Sequence, residues 1–203
     1  MKRLAAENIN TPEHFDRIWG LEMQSLHYFD HVRMRAFTNY VRPGTRVLDV
    51  GAGVFGWSEY LLTVANVKLV DAHAVDFSPV AVETVKARCP DLSIQVGDAL
   101  DLPFSDEHFD LVGSGELIEH MESPGALVQE MSRVTRPNGL MIIGTVDPNC
   151  PDAVAHGTYP EHLWEFTPGE LLALVEPHGK SWYQRVGNYD FVYCRKHGTE
   201  SVA

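Results

Sequence analysis

From residue 45 onward the apolar positions come in short unbroken runs: "RVLDV" (46 to 50), "KLVDAHAVDF" (68 to 77), "SIQVGDA" (93 to 99), "FDLVGS" (109 to 114) and "LMIIGTV" (140 to 146). Between them, "GWSEYLLTVA", "SPVAVETVKARC" and "GELIEHM" continuing into "ALVQEMSRVT" repeat at helical spacing, as does "TPGELLALVE" after the fifth run. Strands that are apolar on both faces must be covered on both faces. Strands separated by helices pair in parallel through right-handed crossovers. The pattern therefore predicts an α/β, doubly wound fold.

The two ends depart from this alternation. Residues 11 to 41 read as two helices. Thr11-Pro12-Glu13 caps the first, Gly20 is expected to interrupt it, and Leu21, Leu26, Phe29, Val32, Ala36, Phe37 and Tyr40 give the second its apolar face before Pro43-Gly44. At the other end "SWYQRVGNYDFVYCRK" holds two aromatic-rich runs around Gly187-Asn188 with no helix between them, which predicts an antiparallel hairpin at the sheet edge. We read residues 1–203 as a single domain: an N-terminal helical layer (1–44), a core (45–147), and a loop, helix and terminal hairpin (148–203).

Composition narrows the partners. With 203 residues, 44% of them apolar, the chain can bury one sizeable core. Its formal net charge of −12 disfavours a nucleic-acid groove. The start lacks a secretory apolar run, and no stretch approaches the roughly 18 uncharged residues of a membrane span. A soluble, cytoplasmic protein is expected. Cys89, Cys150 and Cys194 form no C-x-x-C pair and read as reduced thiols.

The chemistry gathers where strands end, because ligands of open α/β sheets bind beyond the carboxyl ends of the strands. "VLDVGAGVFGWSEYL" (47 to 61) carries Gly51, Gly53 and Gly56 in a G-x-G-x-x-G spacing shared by nucleotide cofactors of opposite charge. Asp49 separates the alternatives. Facing a dinucleotide pyrophosphate it would cost of the order of 1 to 4 kcal/mol per unit-charge pair at 4 Å, whereas a sulfonium or ammonium reverses the sign. The next two strands also end in acids. Asp76, 23 residues after Gly53, stands where an acid binds ribose hydroxyls, with Phe77 able to stack on adenine. Asp98 can accept from an exocyclic amine, with Ala99 offering backbone contacts.

"VLDVGAGVFGWSEYL", "AVDFSP", "GDALDLPFSDEHFDLVGSGELIEHM" and "EMSRVTRPNGLMIIGTV" together resemble the successive motifs of class I S-adenosylmethionine-dependent methyltransferases, in particular the small-molecule branch similar to quinone-biosynthesis enzymes. The resemblance covers roughly residues 45 to 147. It implies a mostly parallel seven-stranded sheet with an antiparallel last strand, and S-adenosylmethionine as cofactor. Asp49, Gly51, Ala52 and Gly53 would then line the methionine part, Asp76 the ribose, and Phe77, Asp98 and Ala99 the adenine. Ser78, Leu100, Ser114 and Glu116 complete the implied cofactor set. In the family the third glycine falls at the position of Phe55, so Gly56 is a departure.

On the acceptor side, Glu116, Glu119 and His120 fall at i, i+3 and i+4, and His120 has the ordinary pKa of a general base. Glu116 and Glu119 read as a solvated or cofactor-facing first turn. The loop before Thr167-Pro168-Gly169-Glu170 carries His156, Tyr159, His162, Trp164 and Phe166, either an acceptor wall or packing on the sheet. The spacing of His120, His156 and His162 matches no common metal site, so none is expected. Trp19, His27, Tyr28, Phe29, His31 and Tyr40 make the N-terminal layer a candidate lid.

The expected partner is a small-molecule acceptor, with a homodimer left open as a way to complete its site. The rival readings are a non-catalytic cofactor-binding regulatory protein, a nicotinamide dehydrogenase and a methyltransferase acting on a macromolecule.

Overall fold

The computed structural model describes residues 1–5, 7–22, 31–65, 71–151, 154 and 159–198. Among these, strands β2 (Arg46–Val50), β3 (Asp71–Asp76), β4 (Ser93–Val96), β5 (Phe109–Gly115), β6 (Thr135–Val146), β8 (Gly179–Val186) and β9 (Tyr189–Lys196) form one seven-stranded sheet in the order β4-β3-β2-β5-β6-β9-β8. β2 pairs in parallel with β3 and β5, and β9 runs antiparallel to both β6 and β8. The order reverses at β2, so the crevice beyond its carboxyl end is the one the fold offers a ligand.

Why the strands read apolar throughout is visible in their burial. In β2, Val47 enters one core with Leu61, Ile142 and Phe191, while Leu48 and Val50 enter the other with Leu127, Met131 and Ile143. Helices α2 (His31–Thr38), α3 (Trp57–Thr63) and α4 (Pro79–Arg88) supply residues to the first face; α5 (Pro124–Val134) and α6 (Pro168–Val175) supply the second. Phe37 of α2 stacks on Trp57 of α3 with ring centres 4.9 Å apart. That pair fits because β5 carries Gly113 opposite it, where a Cβ would lie 2.8 Å from Phe37. Thr167 and Glu170 close the expected capping box on α6.

Several expectations need correction. Gly20 does not interrupt its helix: α1 runs Pro12–Glu22, and a side chain at Gly20 would meet nothing within 4 Å, so the residue costs propensity without creating a break. The fifth strand begins at Thr135, directly after α5, rather than at 140. A two-residue strand β1 (Lys2–Arg3) pairs with β7 (Trp164–Glu165), a contact across the chain that no local pattern announces. Leu26, His27, Tyr28, Phe29 and His156 lie outside the described residues, as do the side chains of Leu21, His31 and Val32. No helix among the described residues is long and apolar enough to cross a membrane, and all three cysteines are buried thiols.

Candidate active site

The glycine loop is held by its own amides. Gly51 N–H donates to the Val75 carbonyl at 2.8 Å, Ala52 N–H to the same oxygen at 3.2 Å, and Gly53 N–H to Asp76 Oδ2 at 2.8 Å. Gly51 and Gly53 take φ of +69° and +56°, which favours glycine. In a phosphate-binding loop such amides point at the anion; here three of them are already engaged. The N-terminus of α3 is likewise occupied, because Asp49 Oδ2 accepts from Ser58 N–H (3.0 Å) and Ser58 Oγ (2.9 Å). An anion would find a carboxylate in the place it needs.

Gly56, the departure from the family pattern, has a local reason. A Cβ there would lie 2.5 Å from Asp49 Oδ2, so glycine lets the carboxylate close on the helix. Burial pushes the Asp49 carboxyl up to about 7, against the Ser58 hydrogen bonds that lower it. Asp76 is also raised, first by burial, although it accepts from Gly53 and Ser78. Two buried carboxyls short of positive charge suit a cationic ligand.

The crevice has two lobes. One, of about 330 Å³, is walled by Asp76, Phe77, Asp98, Ala99, Leu100 and His120 among others. The other, of about 260 Å³, is walled by Asp49, Gly51, Ala52, Gly53, Arg33 and Glu116 among others. Trp19 borders both, and a Cβ on Gly53 would come within 3.1 Å of its ring. Phe15, one helical turn earlier, packs on Phe77 and His120 with ring centres 5.3 and 5.6 Å away. α1 thus covers the cleft. It is tied down by Asp16, which accepts from Ser78 Oγ and from Val80 N–H at the start of α4.

Ser78 and Ser114 are placed elsewhere. Ser78 is the N-cap of α4, accepting from Ala81 N–H at 3.1 Å, and Ser114 is buried in β5 with its hydroxyl unpartnered; neither is on the walls of these lobes. Glu116 does border both lobes. It has φ +55° and forms an ion pair with Arg33, whose guanidinium lies 5.4 Å from the Tyr189 ring centre. A left-handed non-glycine residue at a strand end is the kind of strain that functional sites retain.

Beyond Glu116 the chain makes only a single 3₁₀ turn (Ile118–His120), and this turns Glu119 inward. The expectation of a solvated or cofactor-facing Glu119 is corrected: it is 1% exposed and neither carboxylate oxygen has a hydrogen-bond partner of good geometry, although its own amide and the Thr145 hydroxyl lie close enough to favour its charged form. Burial, and then the charge of Glu116, push it up to about 8. His120 Nδ1 lies 2.9 Å from the Glu161 carbonyl, so that nitrogen carries the proton and Nε2 keeps its lone pair. Burial lowers its pKa, and burial with the neighbouring His120 takes His162 down to about 4. The two imidazoles meet edge to face at 4.9 Å. Sequence spacing placed Glu119 near Glu116 and His120, but a three-residue turn after a strand gives no periodic signal of which way that carboxylate faces. Trp164 Nε1 donates to the Met121 carbonyl and Phe166 lies in the core, so both pack on the sheet.

Comparison with known proteins finds methyltransferases. Residues 48–143 match the family described as "Methyltransferase domain". The chain is 38% identical over 101 residues to the demethylmenaquinone methyltransferase of Renibacterium salmoninarum, covering 50% of this chain and 41% of that protein. It is 38% identical over 106 residues to the chloroplastic tocopherol O-methyltransferase of Arabidopsis thaliana, covering 49% and 30%. The chain thus spans less than half the length of these relatives. Phosphoethanolamine N-methyltransferase 2 of Haemonchus contortus, solved with S-adenosyl-L-methionine, shares the fold at a TM-score of 0.70 and 16% identity, over 93% of this chain and 60% of that one. Residues 48–143 are thus similar to a methyltransferase domain, and the fold is shared with a methyltransferase solved with S-adenosyl-L-methionine.

Proposed function

We propose that this chain transfers the methyl group of S-adenosylmethionine to a small or medium-sized acceptor, at an oxygen, nitrogen or carbon nucleophile. The observation that carries the reading is the buried Asp49 beside a glycine loop whose first amides are already engaged, which favours a cationic cofactor over a pyrophosphate. When bound, S-adenosylmethionine supplies an electrophilic methyl group on a sulfonium, displaced in line by the acceptor.

In this reading Asp49, Gly51, Ala52 and Gly53 hold the methionine end, with Arg33 and Glu116 beside them. Asp76 takes the ribose hydroxyls, and Phe77, Asp98, Ala99 and Leu100 frame the adenine. Phe15 and Trp19 exclude water from above. His120, on the wall of the larger lobe, keeps Nε2 unprotonated at the acceptor end, where it can take a proton. The relatives named for demethylmenaquinone and tocopherol support a small-molecule acceptor, and the net charge of −12 disfavours nucleic acid. The same reading places the protein in the cytoplasm, in keeping with its buried thiols.

The test is incubation with methyl-labelled S-adenosylmethionine and a panel of quinols, phenols and amines. Labelled acceptor and S-adenosylhomocysteine formed in equal amounts support the proposal. Cofactor binding without turnover on any acceptor would favour a non-catalytic binding protein.

A further inference from the structure

Glu119, His120 and His162 each bring one potential ligand atom to within 4.8 Å of the other two. They come from two segments that the backbone locks together. Leu163 N–H donates to the Glu119 carbonyl at 2.8 Å, and Asn10 Nδ2 donates to the carbonyls of both His120 and Glu161. The cluster is therefore held in place by bonds independent of any ion.

The decisive member is Glu119. An ionisable carboxylate buried with neither oxygen partnered is a costly arrangement, one that proteins keep where a charge completes it. Around it stand two imidazoles. His120 has its Nδ1 proton fixed by the Glu161 carbonyl, the outer-shell bond typical of ligating histidines, which leaves Nε2 for an ion. Two imidazoles bound to one tetrahedral ion at about 2.0–2.1 Å set their ring centres about 5 Å apart; here the separation is 4.9 Å.

We propose that Glu119, His120 and His162 form a divalent transition-metal site at the acceptor end of the cleft. Two imidazoles and a carboxylate suit Zn²⁺ or Fe²⁺ rather than Mg²⁺, and three protein ligands leave a position open for an oxygen ligand. His120 borders the larger lobe, so that position is placed to receive water or an acceptor oxygen. An ion there takes the nitrogen that would otherwise serve as base, so the two roles of His120 exclude each other.

The test uses the full chain without an affinity tag, stripped with a chelator and titrated with Co²⁺, then with competing Zn²⁺. The expected result is one equivalent of Co²⁺ with visible d–d absorption, displaced by Zn²⁺. The affinity should fall by roughly a hundredfold or more in both Glu119→Gln and His162→Ala. Glu119→Gln exchanges a buried carboxyl for a neutral amide of the same shape, so its fold should survive, checked by thermal melting of the stripped protein. Absence of the absorption bands, or Co²⁺ affinity in both folded variants equal to that of the unmodified chain, would overturn the proposal. Titration of the same samples with S-adenosylhomocysteine reads the cofactor site separately, so loss of one reading is distinguishable from loss of the other.

Discussion

The strongest consequence of burying Asp49 is a pH-dependent affinity for the cofactor. In the unliganded protein its carboxyl is pushed from an ordinary 3.8 to about 7 by burial, a difference worth roughly 4 kcal/mol. The folded state therefore binds a proton that the unfolded chain has released between about pH 4 and 7. Stability from this group is greatest below pH 4 and is lost as pH rises to 7. A cation placed against Asp49 favours the ionised form, so binding must displace that proton below pH 7. S-adenosylmethionine affinity should rise up to tenfold per pH unit between about pH 5.5 and 7, below the range of an α-amino group. Calorimetry in buffers of different ionisation enthalpy should register close to one proton released at pH 6. Asp49→Asn keeps an acceptor for Ser58 but should bind about fivefold to several hundredfold more weakly at pH 7.5 and show no such slope, the range that a lost ion pair of about 1 to 4 kcal/mol spans. A flat affinity profile for the unmodified protein, or an unchanged slope in the variant, would refute the electrostatic reasoning.

Other substitutions probe the surrounding parts. Asp76→Ala should weaken cofactor binding by about 1 to 3 kcal/mol, measured by calorimetry on folded protein, because it removes a charged acceptor and frees the Gly53 amide. Gly56→Ala sets a methyl against Asp49 Oδ2 and should lower cofactor affinity while leaving the circular dichroism spectrum intact. Arg88→Ala strands Glu59, which is 1% exposed and held by Arg88 Nη2 at 2.6 Å. Arg88 is itself about a third exposed, so the loss should fall toward the low end of the ~3–5 kcal/mol typical of broken buried pairs, read from urea midpoints. An unshifted midpoint would mean the pair contributes nothing.

Much of the sheet was legible because a doubly covered strand must be apolar on both faces, and Val47, Leu48 and Val50 show that directly. That Asp49, Asp76 and Asp98 gather around one cleft was legible for a related reason: they sit at strand ends, where chain order alone fixes which side of the sheet they reach. What failed to show depended on contacts between distant segments. Lys2–Arg3 pair with Trp164–Glu165 through backbone bonds that leave no residue signature. Ser78 occupies a strand-end position expected of a cofactor contact, yet the demand of α4 for a cap claims its hydroxyl. Glu119 was misread because the 3₁₀ turn (Ile118–His120) is too short to establish a helical face, and its burial is decided by the loop that carries His162.

The most direct test of the central claim, that this cleft is built for a cationic methyl donor, is parallel calorimetric titration with S-adenosylmethionine, S-adenosylhomocysteine and NAD at pH 7.5. Binding of the first two with no heat from NAD is the predicted result. Binding of NAD alone would contradict the role assigned to Asp49 and the function drawn from it.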